Sequence, residues 1–380
     1  MRVTQNLWMS GQGWRDRWED GAELPPERSF ILAVGDGEAW ENRAWREELR
    51  GLFPEVSLVG CSAAGEIEGE DLREGVVAVT AVSFDATTVR AISTPLEALE
   101  GSFRAGHFLG RALEAPHLRH VLVLTDGITV QGADFAQGLS EALPEGVRAS
   151  GGMAGDGARS QCTTLLEGDV LAPGRALALG FYGPSLGVGC GVFGGWSPFG
   201  PPRTISRSQG AFLAELDGRN ALDLLRQYVG DEVLDDERLM SFPLGVCDDQ
   251  GKVVAVRALF RADPHGRRVV TVGEIPEGTR VRFLRGSAES VLDGAREAAR
   301  ASLESLGRAP EWALAVGCYG RKCFLGPRAE EEILEVAGAL GGSVPLAGFL
   351  SYGELAPVSG MGRGCLFHNE TMTVTAFAED

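Results

Sequence analysis

The sequence predicts an α/β fold, mixed α+β in its second half, with helices covering mixed sheets in two domains. Three observations carry that expectation. Apolar runs such as FILAVG (30–35), HVLVLT (120–125) and WALAVG (312–317) have the length and composition of strands buried on both faces. Each run is followed by apolar residues at helical spacing, and strands alternating with helices build layered α/β sheets. Glycine supplies 53 of the 380 residues, about twice the ~7% of an average protein, and gathers at the ends of the apolar runs.

The elements fall into three similar units. The first reads as a strand at 30–35, a helix over 40–53, a short strand at 57–60, a loop ending in Gly65-Glu66, and a β-branched strand at 76–84. The second repeats that order with a strand at 120–125, a helix over 133–143, a strand at 147–151, a loop ending in Gly155-Asp156 and a strand at 176–182. The third runs through a strand at 312–317, a helix over 329–340, a strand at 344–348, the loop Gly353-Glu354 and a strand at 371–377. Spacing from Gly60 to Glu66 equals that from Gly348 to Glu354, and the second loop reads as a shorter version carrying Asp156 in place of Glu. The Gly- and Pro-rich stretch 183–202 reads as the crossing between domains. This gives an N-terminal extension over 1–24, one domain over 25–200 and a second over 201–380. Within the second, 203–216 reads as a hairpin, 220–228 as a short helix, 253–260 and 267–284 as further strands, and 287–306 as an amphipathic helix.

Composition narrows the partners. The formal net charge is −18, and an acidic surface repels phosphate backbones and anionic lipids, so neither nucleic acid nor a membrane is expected as a partner. There is no apolar run of membrane-spanning length and no secretory signal at the N-terminus. Seven cysteines without paired spacing read as reduced thiols, which points to the cytoplasm.

The candidate site lies where strands end in small residues. Such loops leave backbone N–H groups free for a ligand, and a neighbouring acid can take an ammonium or hydroxyl. In α/β sheets ligands sit outside the carboxyl ends of strands. The candidates are therefore Cys61, Ser62 and Glu66 in the first unit, Asp126, Gly152 and Asp156 in the second, and Cys318, Arg321, Ser351, Tyr352, Gly353, Glu354 and Asn369 in the third. Arg321 leads, because a guanidinium holds a carboxylate through two parallel hydrogen bonds; the competing reading is a salt bridge with a neighbour such as Glu330. Gly187, Gly189 and Gly191 lack the third glycine and following helix of a dinucleotide turn. Cys318 and Cys323 have no second pair for zinc, and no metal site is expected. Cys61 and Cys318 are conceivable nucleophiles, but no histidine lies near either in sequence.

Taken together these motifs resemble the FIST family (F-box and intracellular signal transduction proteins). The carriers are Gly60-Cys61-Ser62 with Gly65-Glu66-Ile67, Asp126-Gly127 and Gly151-Gly152-x-Ala154-Gly155-Asp156. They continue with the run from Asn220, Pro243 to Val246, Gly273 to Gly278, Cys318-x-x-Arg321, Gly348 to Glu354, and Asn369-x-Thr371. The resemblance covers about Ser29 to Thr375 and implies an N-terminal FIST domain followed by a FIST C domain. It implies a sensory protein that binds a small polar ligand such as an amino acid between the domains and signals through a separate output partner such as a kinase; with no convincing catalytic constellation in the sequence, an enzyme is not expected. No cofactor is expected. Relatives that resemble haem-based nitric oxide sensors make haem an alternative, but none of His107, His117, His120, His265 and His368 sits in a motif that carries the role. Cysteine-dependent hydrolysis or transfer is the second alternative.

Overall fold

The computed structural model describes residues 1–16, 18, 24–230, 239–263, 265–358 and 362–380. Its core is built three times over. Each repeat has two parallel strands joined through a helix and a third strand antiparallel to the first. These are Ser29–Gly35, Ser57–Ser62 and Val76–Ser83 in the first repeat. In the second they are Leu118–Thr125, Arg148–Met153 and Arg175–Tyr182, and in the third Trp312–Cys318, Leu346–Ser351 and Met372–Glu379. A fourth strand pairs with the third in each sheet: Arg2–Met9, Thr88–Pro95 and Leu186–Phe193 respectively.

The sheets are completed by exchange. The hairpin that leaves the second parallel strand of each repeat pairs with another repeat. Glu66–Glu68 joins the third repeat's sheet, Leu165–Glu167 the first repeat's, and Glu354–Ala356 the second repeat's. The exchange closes in a ring: the first repeat's sheet is completed by the second repeat, and strands from the two halves of the chain share the other two core sheets. A glycine sits at the same register position in each repeat. A Cβ at Gly60, Gly151 or Gly348 would lie 1.9 Å from the carbonyl oxygen of Ala33, Val123 or Ala315 on the paired strand. Only glycine permits that approach, which explains why glycine ends each apolar run.

Inner faces of the three sheets meet in one apolar centre that includes Phe30, Leu32, Leu122, Leu124, Phe181, Leu314, Val316, Phe349 and Phe377. Trp312 stacks on Phe377 at 4.6 Å between ring centroids. The helices Ala44–Leu52, Gly132–Ala142 and Ala329–Leu340 bury their apolar stripes against the outer faces.

Between Leu186–Phe193 and the helix Ala288–Leu306 the chain inserts a separate antiparallel sheet with its own core. It contains Ser197–Gln209, Phe212–Leu216, Leu244–Cys247, Val253–Arg257, Leu259–Asp263, Arg268–Thr271 and Arg280–Arg285. This is the expected α+β character of the second half. Asn220 caps the helix Ala221–Val229, and Ser287 caps Ala288–Leu306 with a capping box.

Two expectations change. The stretch 183–202, read as the crossing between domains, carries strand structure: Leu186–Phe193 pairs along its whole length with Met372–Glu379, and Ser197–Gln209 then begins the inserted sheet. Its glycines serve helix packing, since a Cβ at Gly189 or Gly191 would lie 2.0 Å from Ser302 O or Ala298 O. The second repeat's loop is longer, not shorter. Cys61, Gly152 and Phe349 occupy one register position and pair with Leu165, Glu354 and Glu66. The position of the two glutamates is therefore filled by Leu165, while Asp156 stands in the extra loop.

Candidate functional site

A cavity of about 330 Å³ opens among the strand ends of the third repeat, the loop after the first strand of the second repeat, and the inserted sheet. That is near the lower end of the ~300–1,000 Å³ usual for small-molecule pockets. Cys318, Ser351, Tyr352 and Asn369 line it, as do Gln131, Thr271 and Glu370.

The register of the repeats shows what is unusual here. The first strands end in Asp36, Asp126 and Cys318, and the residues ahead of the last strands that face them are Gly75, Gly174 and Glu370. In the first two repeats the acid locks the glycine: Asp36 accepts from Gly75 N at 2.9 Å, and Asp126 from Gly174 N at 3.0 Å. In the third, Cys318 stands in place of the acid, and the backbone N–H groups of Glu370 and Gly320 favour its thiolate only weakly against burial. Gly75, Gly174 and Glu370 have φ of 72°, 66° and 56°. The left-handed region is natural to glycine and strained for glutamate.

Glu370 is fully buried, and neither carboxyl oxygen has a hydrogen-bond partner. The same holds for both side-chain polar atoms of Asn369. Burial pushes the Glu370 carboxyl well above its ordinary range and Glu354 adds to this, while Arg321 opposes it. The carboxyl is seated where only Gly320 leaves room, because a Cβ there would lie 1.9 Å from Glu370 Oε1. Sequence reasoning passed over Glu370. The signal was the alignment of the repeats at their last strands, where an acid replaces two glycines.

Around this pair stand residues that position it. Glu354 accepts from Ser351 Oγ at 3.0 Å, Thr371 N at 3.1 Å and Thr371 Oγ1 at 2.7 Å. Burial raises its carboxyl to about 8 against those hydrogen bonds. It ties the loop to the strand behind Glu370 and does not line the cavity. Arg321, the leading candidate, is fully buried and committed to the protein. Its Nε donates to Glu332 Oε1 at 2.6 Å, Nη1 donates to Gly194 O and to Glu370 O at 3.3 Å, and Nη2 donates to Val291 O at 2.7 Å. It therefore holds the backbone of Glu370 and is not presented to a ligand carboxylate, and its acid is Glu332, not Glu330.

Other candidates lie apart from the cavity. Cys61 is sealed in the core, its thiol pushed up by burial, and Ser62 Oγ accepts from Thr164 N at 3.0 Å. Asp126 caps the following turn through Ile128 N at 2.9 Å and Thr129 N at 2.7 Å. Asp156 accepts from Gln161 N at 2.8 Å, Cys162 N at 3.0 Å and the Tyr352 hydroxyl. Gly152 and Gly353 are packed against Val316 and Phe367. Glu66 is buried without a side-chain partner, but the charges that act on it are Asp36, Lys322 and Glu74, and it lies outside the cavity lining.

Comparison with known proteins decides the family. Residues 29–219 match the FIST N domain and residues 221–357 the FIST C domain. The chain belongs to the FIST family. An uncharacterized protein of Mycobacterium tuberculosis is 28% identical over 342 residues, covering 85% of this chain and 84% of its own. Another, from Mycobacterium bovis, is 30% identical over 343 residues, covering 85% and 83%. FIST domains are sensory domains of signal transduction, and among the described residues no helix is long and apolar enough to cross a membrane. The FIST C match ends at 357, so Asn369 and Glu370 lie beyond it, just ahead of the strand Met372–Glu379.

The histidines do not fit a haem in this cavity, since none lines it among the described residues. His107, His117 and His265 are exposed. His120 and His368 are buried, their Nε2 atoms against Ser150 Oγ at 2.8 Å and Ala356 O at 3.1 Å.

Proposed function

We propose that this FIST protein is a sensory protein that binds a small polar molecule, of about amino-acid size, in the 330 Å³ cavity at the end of the third repeat. One observation carries the reading: Asn369 and Glu370, both fully buried in the cavity wall, have side-chain polar atoms with no partner inside the protein. An unmet buried polar group costs about 1–3 kcal/mol, and two adjacent ones are the kind of debt that a ligand's donors and acceptors repay. The inserted sheet closes the cavity through Ala258, Phe260 and Thr271. Binding would therefore bear on how that sheet sits against the core, a route to a separate output partner such as a kinase. The chemistry requires no membrane or nucleic acid, and the reduced thiols suit a cytoplasmic setting.

A thermal-shift screen of polar metabolites tests the reading. A ligand that stabilises the wild type should lose its effect in Asn369→Ala and keep it in Ser62→Ala, which lies apart from the cavity. Equal stabilisation of both variants would remove the site.

A second reading, thiol catalysis at Cys318, has the two backbone N–H groups at its sulfur in its favour. Burial and the neighbouring Glu354 and Glu370 push the thiol well above its ordinary range, against nucleophilicity at neutral pH. Fast alkylation of Cys318 at pH 7 would revive that reading, and slow alkylation would retire it.

A further inference from the structure

The cavity at the third repeat has a chemical bias. Among the described residues no Lys, Arg or His lines it. Its one acid is Glu370, and four aromatic residues face it: Phe260, Tyr319, Tyr352 and Phe367. The one arginine beside the strand end, Arg321, is spent on Glu332 and three carbonyls. A cavity lined by rings, with an unpaired buried carboxyl in its wall, suits an organic cation, whose charge is met by the acid and whose alkyl or planar body is met by π faces. The protein's own cations already use two of these rings: Lys322 lies 5.8 Å from the Tyr319 centroid and Arg257 5.1 Å from that of Phe367. Lys322 is paired with Glu74, and Arg257 faces a different cavity, so neither neutralises Glu370.

We propose that the ligand is a small organic cation, an alkylammonium or alkylguanidinium, whose charged head is held by Glu370 and Asn369. The inference rests on the sensory reading of the same cavity. It explains why a glutamate stands at φ 56° where the other two repeats have glycine. The strain and the unpaired carboxyl are retained because the carboxyl has an external partner.

The charged groups that act on Glu370 are Glu354, Arg321 and Glu332, and the Cys318 thiol lies on the neighbouring strand end. The two acids raise its proton affinity and the single guanidinium does not offset them. A cation would bind the ionised form, so binding should release a proton, and affinity should rise with pH over the range in which the free carboxyl is still protonated.

The test uses the whole chain and four probes: n-butylammonium, butylguanidinium, n-butanol and butyrate, followed by calorimetry in two buffers of different ionisation enthalpy. Stabilisation by either cation but not by butanol or butyrate is the expected result. Glu370→Gln should lose at least tenfold in cation affinity and all proton release. Glu66→Gln, at an equally buried acid outside the cavity, should keep both. Butyrate binding, or a cation that binds Glu370→Gln as well as wild type, overturns the inference. If neutral polar molecules bind and lose affinity in Asn369→Ala while cations are silent, the cation is wrong and the sensory reading stands. If neither cations nor a wider metabolite panel binds, both fall. Should Glu370→Gln fold poorly, Glu370→Gly serves, since glycine suits that backbone.

Discussion

The first and third repeats share a backbone plan and differ in what their strand ends do. In the first, Asp36 and Gly75 close on each other through a hydrogen bond of 2.9 Å, and the glycine at the left-handed position puts no side chain into the strand end. In the third, Cys318 takes the acid's place, and an acid appears at the glycine's place, in the wall of a cavity, with its buried carboxyl unpaired. The second repeat sides with the first through Asp126 and Gly174. Two repeats thus show what the strand end requires for folding, and the departure of the third marks where folding is not the only demand. A buried acid alone is a weak sign. A buried acid where two homologous positions have glycine is a strong one, because the fold itself supplies the control.

Substitutions can break or sharpen that comparison. The largest expected effect is at Arg321. Arg321→Ala would strand Glu332 in the core and free three carbonyls, for about 3–5 kcal/mol of stability. Urea unfolding of Arg321→Ala and of the double variant with Glu332→Leu checks this; the double variant should recover part of the loss, which a ligand-binding arginine would not show. Next come the shared glycines. Gly60→Ala, Gly151→Ala and Gly348→Ala each drive a methyl into a carbonyl of the paired strand and should each cost on the order of 3 kcal/mol, alike in all repeats. A single tolerant position among the three would break the equivalence of the repeats. Smaller and unequal effects belong to the strand ends. Asp126→Ala removes a turn cap and the lock on Gly174, about 2 kcal/mol. Cys318→Ala should cost less than half of that by the same unfolding measurement.

The pH dependence is a further check. Glu354 titrates at about 8 in the folded chain against an ordinary value of 4.5. Its contribution is whole below the ordinary value. It declines as pH rises and is gone once pH passes about 8, because the unfolded chain releases the proton first. Glu354→Gln should flatten that decline in a series of melting curves from pH 4 to 9.

Much of this was legible in the sequence. The three units, their helices and the glycine at each strand end follow from apolar runs and spacing, which the backbone obeys. Cys318, Ser351, Tyr352 and Asn369 were legible because they sit at strand ends of one unit, and the structure brings them together. The exchanged hairpins were not, since which sheet a hairpin joins depends on contacts far apart in the chain; aligning Asp156 with Glu66 and Glu354 failed for that reason. Arg321 misled because a cation in a loop motif looks exposed, whereas the helix Tyr319–Leu325 turns it inward onto Glu332. Glu370 was hidden as the unspecified middle residue of Asn369-x-Thr371, and only its left-handed backbone and unpaired carboxyl give it away.

The central claim is that the third repeat keeps Glu370 at a cost in stability that the other repeats avoid. The direct measurement is the thermal melting of Glu370→Gly beside Gly75→Glu and Gly174→Glu. The predicted result is a higher melting temperature for Glu370→Gly, reflecting about 1–2 kcal/mol of relieved strain and desolvation, and lower ones for the two reverse changes. A Glu370→Gly protein that melts below the wild type would show that Glu370 is there for the fold, and would contradict the account.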